Sequence, residues 1–246
     1  MFRNILLSVI MGFYALSSVS NAVGETPKCS LKTWKGTYFY FGTGLENGNF
    51  NAEGGVEIYD GNGAMTLVNI FSNGQEVVST GQYTLGEDCI GRSSYNLWKT
   101  KYVLYGGPSG KEMTWNSLAG STKNWSGAEI RTSTSMNVQC TPRTLKGTYI
   151  YSVSGYIAGV PYFDSGKHIY DGSGNIRNIR LDSNGNEKVT EGTYTFSKYC
   201  AGFVKLGNQE SFAIYSGPKA DKIHDVSPAD ASDTMIYGFE YKVSKR

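Results

Sequence analysis

The chain has 246 residues, with 31 glycines, 18 tyrosines, 18% charged residues and a formal net charge of +2. With no basic stripe to release counterions from a polyanion, nucleic acid is excluded as a partner. Glycine supplies φ > 0 at turns and Tyr favours pleated surfaces, so the profile is that of a turn-rich β protein.

The chain opens on MFRNILLSVIMGFYALSSVSNA. Arg3 gives a short positive head, an apolar run extends from Ile5 to Leu16, and Ser20-Asn21-Ala22 supplies a small-x-small cleavage site. Residues 1–22 therefore read as a signal peptide, because the run is too short and wrongly flanked for a membrane anchor. No cysteine stands at the cleavage point, which argues against a lipoprotein. No later stretch reaches 18 apolar residues, so no transmembrane segment is expected once the leader is removed. From Val23 onward, basic residues number 22 (23 less Arg3) against 21 acidic ones. The expected product is exported, either to the periplasm or outside the cell.

Beyond the leader, short β-rich runs alternate with Gly, Asn and Asp pairs, a hairpin pattern in which helical periodicity is hard to find. Strands are expected near 36–42, 54–59, 64–71, 75–85, 93–98, 101–106, 112–118 and 126–132. They recur near 147–153, 165–170, 175–182, 186–196, 201–206, 210–216 and 235–243. The second set is a copy of the first at an offset of 111. CSLKTWKGTYFY from Cys29 matches CTPRTLKGTYIY from Cys140, and IYDGNG from Ile58 matches IYDGSG from Ile169. SNGQEVVSTGQYT from Ser72 matches SNGNEKVTEGTYT from Ser183, and more than a third of residues 29–91 match without a gap. Past Gly91 the match slips by one residue, and the offset returns in the last strand. A unit this long holds its own core rather than stacking as a solenoid repeat. The plan is therefore two domains, residues 23–139 and 140–246, with a short connection between them.

Asn73-Gly74 and Asn184-Gly185 predict type I′ turns, whose two central positions need φ > 0. Seven or eight antiparallel strands per copy must close or pair up to avoid exposed edges. Each copy is expected to be an antiparallel β-barrel, with a sandwich as the other solution. Four cysteines in an exported chain read as disulfides. Pairing Cys29–Cys89 and Cys140–Cys200 gives one staple per copy. Cys29–Cys140 with Cys89–Cys200 also respects the duplication but has to bridge the copies. There is no C-x-x-C and no Cys–His cluster, so no metal is expected.

Each copy opens on Lys-Gly-Thr-Tyr, at 35–38 and 146–149, and each last strand carries a base, Arg131 or Lys242. This resembles the lipocalin and avidin-type (calycin) barrels, where a Gly-x-aromatic on the first strand packs under a basic residue from the last. The chain has Tyr where those families favour Trp, and copy 2 has Lys for Arg. The recurring GTYxY, DGxG, NG and GxYT pattern also resembles small secreted bacterial β-barrel domains, some compared with allene oxide cyclase-like barrels. The resemblance implies an all-β chain of two tandem lipocalin-like, calycin-type barrels.

Asp-Gly-x-Gly invites calcium, but an EF-hand loop wants oxygen ligands at positions 1, 3, 5 and 12 with glycine at 6. From Asp171, positions 3, 5 and 12 are Ser173, Asn175 and Asp182, with Ile176 at 6, while copy 1 offers Ala64 and Phe71. What both copies keep is a turn. A phosphate cradle needs a helix after the glycines, and here a strand follows. Of the two histidines, His168 falls opposite Glu57 and His224 opposite Met113. Glu129 and Glu240 lie two residues before the strand base, and a surface salt bridge is expected of them. No catalytic residue, metal or cofactor is assigned.

Tyr38 and Tyr40, like Tyr149 and Tyr151, share one face of a first strand, and Tyr83 and Tyr194 repeat in the same way. With Arg131 and Lys242 they form the candidate ligand-binding set, against the alternative of barrel packing or an end plug. Trp98, Trp115 and Trp125 occur in copy 1 only. The expected function is non-catalytic binding of a small apolar or amphipathic ligand. One alternative is a secreted or surface adhesion module docking an extracellular macromolecule. The other is a cyclase-like or lyase enzyme, which requires a buried carboxylate or His beside Tyr inside a cavity.

Overall fold

A computed structural model of the chain describes residues 28–46, 49–97, 100–118, 123–181, 184–208, 210–229, 231 and 234–244. The leader read from residues 1–22, and Trp98, lie outside them. No helix among the described residues is long and apolar enough to cross a membrane.

Two closed eight-stranded antiparallel barrels follow one another along the chain. The first comprises β1 (Gly36–Glu46), β2 (Asn49–Tyr59), β3 (Ala64–Ile70), β4 (Glu76–Leu85), β5 (Ile90–Tyr95), β6 (Lys101–Gly106), β7 (Glu112–Ser117) and β8 (Lys123–Ser133). The second comprises β9 (Gly147–Ile157), β10 (Val160–Tyr170), β11 (Asn175–Leu181), β12 (Glu187–Phe196), β13 (Ala201–Leu206), β14 (Glu210–Ser216), β15 (Lys222–Val226) and β16 (Thr234–Ser244). Each is an up-and-down meander in which the first strand pairs with both the second and the last. Closure removes every sheet edge, which is how so many short strands avoid edge-to-edge pairing.

Three local expectations change. β15 was not foreseen, because its interior-facing Asp225 and its His224 make KIHDV read as loop. β1 and β8 run further than the sequence suggests. Gly42 and Gly127 weaken the strand pattern, yet a Cβ on either would lie 2.3–2.5 Å from the Trp115 ring. The turn at Asn73-Gly74 is not type I′: only Gly74 has positive φ there, and its N–H closes on the Phe71 carbonyl at 2.8 Å. That is a type I turn followed by a left-handed glycine, the three-residue hairpin loop.

The Asp-Gly-x-Gly stretches are turns of one design. Asp60 accepts hydrogen bonds from the Asn62 and Ala64 amides, and Asp171 from those of Ser173 and Asn175. Gly61, Gly63, Gly172 and Gly174 all have positive φ, which a side chain would oppose. The disulfides are Cys29–Cys89 and Cys140–Cys200, each closing a separation of 60 residues within one barrel. Such bonds suit an oxidising compartment.

One end of each barrel is plugged. A short 3-10 turn, Leu31–Trp34 or Pro142–Leu145, leads into the first strand and buries Trp34 or Leu145 completely. Beneath it three tyrosines meet edge to face: Tyr38–Tyr59 at 5.2 Å and Tyr59–Tyr83 at 4.9 Å in barrel 1. In barrel 2 the counterparts are Tyr149–Tyr170 at 5.4 Å and Tyr170–Tyr194 at 5.0 Å.

The barrels also pack on each other. Phe39, Val56, Val68 and Ile70 on the outside of β1–β3 share one buried cluster with Ala201, Ala213, Tyr215 and Val226 of β13–β15. Phe39 stacks on His224 at 3.6 Å, and Phe41 on Tyr237 at 4.6 Å. The Tyr215 hydroxyl accepts a hydrogen bond from the Ile70 amide at 3.0 Å. Buried at this junction, the His224 imidazole is pushed down to about 2 and stays neutral.

Candidate functional site

Most of the candidate tyrosines serve the plug. The Tyr38 hydroxyl donates to the Gly110 carbonyl at 2.6 Å and accepts from Arg131 Nε at 2.8 Å, and the guanidinium lies 5.2 Å from the Tyr38 ring centre. Arg131 also donates to the Thr33 carbonyl. Tyr149 donates to the Ala220 carbonyl, with the Lys242 ammonium 5.2 Å from its ring. Tyr83 and Tyr194 donate to the Leu31 and Pro142 carbonyls and so tie the 3-10 turn down. The base-over-aromatic arrangement expected from the first and last strands is thus present, as a cap. Only Tyr40 and Tyr151 of the eight reach beyond it toward the other end.

Below the plug each barrel holds a dry ionisable cluster. In barrel 1, Tyr59 donates to Glu57 at 2.6 Å and lies 2.9 Å from Glu129, while Tyr95 donates to Glu57. Burial, then the charge of Glu57, raises Glu129 well above the usual carboxylate range, and burial raises Glu57 too. Two like charges in so dry a place cannot both ionise, so Glu129 keeps a proton that Glu57 accepts. In barrel 2, His168 stands where Glu57 does. Its Nδ1 is 3.0 Å from Glu240, and Tyr170 donates to the same Glu240 oxygen at 2.7 Å. Burial lifts Glu240 to about 7 against the hydrogen bonds from Asp225 and Tyr170. Burial and the Glu240 charge raise Asp225 well above its ordinary range.

The surface salt bridge expected of Glu129 and Glu240 is therefore wrong: they are 2% and 0% exposed and bonded to tyrosines. Alternation along a strand puts them on the same face as the base, but that face is the inside. The pairing of His224 with Met113 is also corrected. Met113 pairs with Glu129 and Ile223 with Glu240, so His224 answers to Thr114 and Asp225 to Trp115. The one-residue slip after Gly91 persists through β15, which hid the match.

A raised folded pKa adds stability below the unfolded value of about 4 and loses it as pH rises through the folded value. Glu129→Gln keeps a donor toward Glu57 without the ionisation. Denaturant unfolding of the wild type is expected to lose stability between pH 5 and pH 8, and the variant to lose clearly less. Equal losses would place the proton elsewhere.

The mouths, opposite the plugs, differ. Barrel 1 is filled there: Trp115 and Trp125 are each 5% exposed and join one core cluster with Tyr40 and Leu104. In barrel 2 those positions are Asp225 and Ile236. Its mouth carries Arg180, which donates to Asp164 at 2.8 Å, and Tyr151, which donates to Asp164 and lies 3.1 Å from Asn178. Tyr162, Asp164, Arg180 and Phe212 are all only part-buried. His168 lies deeper, stacked on Tyr151 at 4.1 Å. A buried carboxylate and His beside Tyr, one part of what the enzyme alternative requires, are thus present below this mouth, at 0% and 2% exposure. No group of three or more His, Cys, Asp or Glu among the described residues is placed to hold a metal.

A groove of about 400 Å³ also runs along the outside of barrel 2, between Ile150, Ser152 and Ser154 of β9 and Tyr237, Phe239 and Tyr241 of β16. The Lys222 ammonium lies 3.7 Å from the Phe239 ring centre.

No protein-family model matches the chain, and no curated protein matches it. Neither comparison identifies a lipocalin, avidin or allene oxide cyclase relative. Among solved structures it is similar to a protein of unknown function from the DUF3598 family of Nostoc punctiforme PCC 73102, at 10% identity. That likeness covers 88% of this chain and 100% of the other, with a TM-score of 0.28, too low to bear on function.

Proposed function

We propose that this is an exported protein, periplasmic or extracellular, whose second barrel binds a small amphipathic molecule through its mouth, without catalysis. The first barrel is its filled support. The observation that carries this reading is the contrast between the copies. Two indoles close the interior of barrel 1, whereas Asp225 and Ile236 stand in their places in barrel 2, whose mouth is polar and part-exposed. Convergent polar groups among aromatic walls are what a small-ligand site needs. Of the eight residues first put forward for binding, Tyr151 remains in this site, and the others belong to the plugs or to barrel 1.

Native mass spectrometry of protein purified from its own host tests it, with an added mass expected on the intact chain. A clean apo mass, unshifted by fatty acids, haem or terpenoids, would sink the reading.

The outer groove favours a second reading, docking of an extracellular macromolecule such as a glycan on exposed rings. Phe239→Ala with Tyr241→Ala is then expected to abolish adhesion while leaving any ligand-bound mass in place.

A further inference from the structure

We propose that the base of the second barrel's mouth receives the ammonium head of a small amphipathic amine, held by Asp225 with Glu240 beside it. This rests on the reading of that barrel as a ligand receptor and adds the chemistry of the head group.

Asp225 is 1% exposed, and neither of its oxygens meets an N–H or hydroxyl donor in hydrogen-bond geometry among the described residues. Oε2 of Glu240 is in the same position. Buried polar atoms are nearly always partnered, and each exception calls for a physical cause. Glu240 faces Asp225, but a single proton between two carboxyls serves few of their lone pairs. The missing partner is a donor. An ammonium brings three N–H bonds and a charge that both carboxyls accept.

The strand register shows where such a head would sit. Asp225, Gly238, Val153 and Asp164 are successive cross-strand neighbours. The same row in barrel 1 is Trp115, Gly127, Gly42 and Glu53, with the indole lying across both glycines. In barrel 2 the indole is gone, and the Val153 side chain covers Gly238, its Cγ1 2.3 Å from where a Cβ there would stand. Val153 is part-buried and Asp164 belongs to the mouth, so in register the row runs from buried Asp225 past Val153 to the mouth. Tyr151, two residues before Val153 on the same face of β9 and hydrogen-bonded to Asp164, borders it and supplies an aromatic wall.

The titratable groups facing Asp225 are Glu240 from β16 and His168 and Tyr170 from β10, with Tyr237 behind it on the outer face of β16. Without ligand, burial and the Glu240 charge keep Asp225 protonated. The incoming ammonium takes the place of that proton, which leaves to buffer, and no covalent bond forms. Binding therefore strengthens as pH rises toward the raised pKa of Asp225.

Isothermal titration of the full chain with n-octylammonium, n-octanol and octanoate, in two buffers of different ionisation enthalpy, tests this. Octylammonium is expected to bind at least about tenfold tighter than octanol, a difference of about 1.4 kcal/mol, and with proton release. Asp225→Asn is expected to remove that preference, so that octylammonium and octanol bind alike. Val153→Trp, which refills the row without touching a charge, is expected to block all three probes. Octanol or octanoate binding as tightly as octylammonium, or octylammonium binding without proton release, overturns the ammonium head while the receptor reading stands. If none of the probes binds, both fall.

Discussion

Trp115→Ala is expected to lower the unfolding free energy by about 3–5 kcal/mol, the usual cost of deleting a large buried aromatic. The indole is 5% exposed and meets Tyr40 and Tyr102 edge to face at 6.3 and 5.2 Å. Its ring lies where a Cβ on Gly42 or Gly127 would stand, so those glycines cannot close the void from their side. The loss should appear as a lower denaturant midpoint with an unchanged slope. Asp225→Ala, at the corresponding place in barrel 2, removes a small buried carboxyl whose hydrogen bond goes to Glu240 and should cost far less. Equal costs at the two positions would mean that barrel 2 is packed as tightly as barrel 1, and the receptor reading would fail with that result.

The second large effect lies between the barrels. Phe39→Ala is expected to cost about 3–5 kcal/mol as well, by the same packing argument. It should also change the shape of unfolding. Phe39 is fully buried against His224 and Tyr215, which belong to the other barrel. Each barrel has its own core cluster and its own disulfide, and the barrels are coupled by this shared apolar face with hydrogen bonds from the Ile70 amide to Tyr215 and from the Ala229 amide to the Ile70 carbonyl. With Phe39 truncated, calorimetry should resolve two transitions where the wild type gives one. A single transition in the variant would show that the remaining contacts are enough to couple the barrels.

The corresponding face of barrel 2 is open. Ile150 and Ser152 stand where barrel 1 has Phe39 and Phe41, and Ile150 is 47% exposed. The duplication therefore packs head to tail, with different surfaces of two like barrels in contact. That leaves the Ser152–Ser154 side of β9 free to border the outer groove.

Much of the fold could be read from local chemistry. Glycine and Asp at 60–63 and 171–174 demand a capped turn wherever they occur. Strand alternation is a backbone property, and the duplication narrows the cysteine pairing to two symmetric choices, of which the structure has the within-copy one. The polar interior was not legible, because alternation tells which residues share a face and not which face is inside. Glu129 and Glu240 read as surface charges for that reason, and their partners Tyr59 and Glu57, and Tyr170 and His168, come from strands far away in sequence. A signal did exist: Glu240 repeats Glu129, and Tyr170 repeats Tyr59, at the same offset as the plug tyrosines.

By itself the sequence determined an all-β chain, duplicated, with the same Asp-capped turns, cysteines and tyrosines repeated in each copy. Short-range rules of turn geometry, pleat and loop closure fix those features. Only the tertiary structure decided which ionisable groups lose water together, and that Asp225 stands in the place of an indole. Burial and charge pairing depend on closing the barrel, which brings the first and last strands, about a hundred residues apart, into one hydrogen-bonded row.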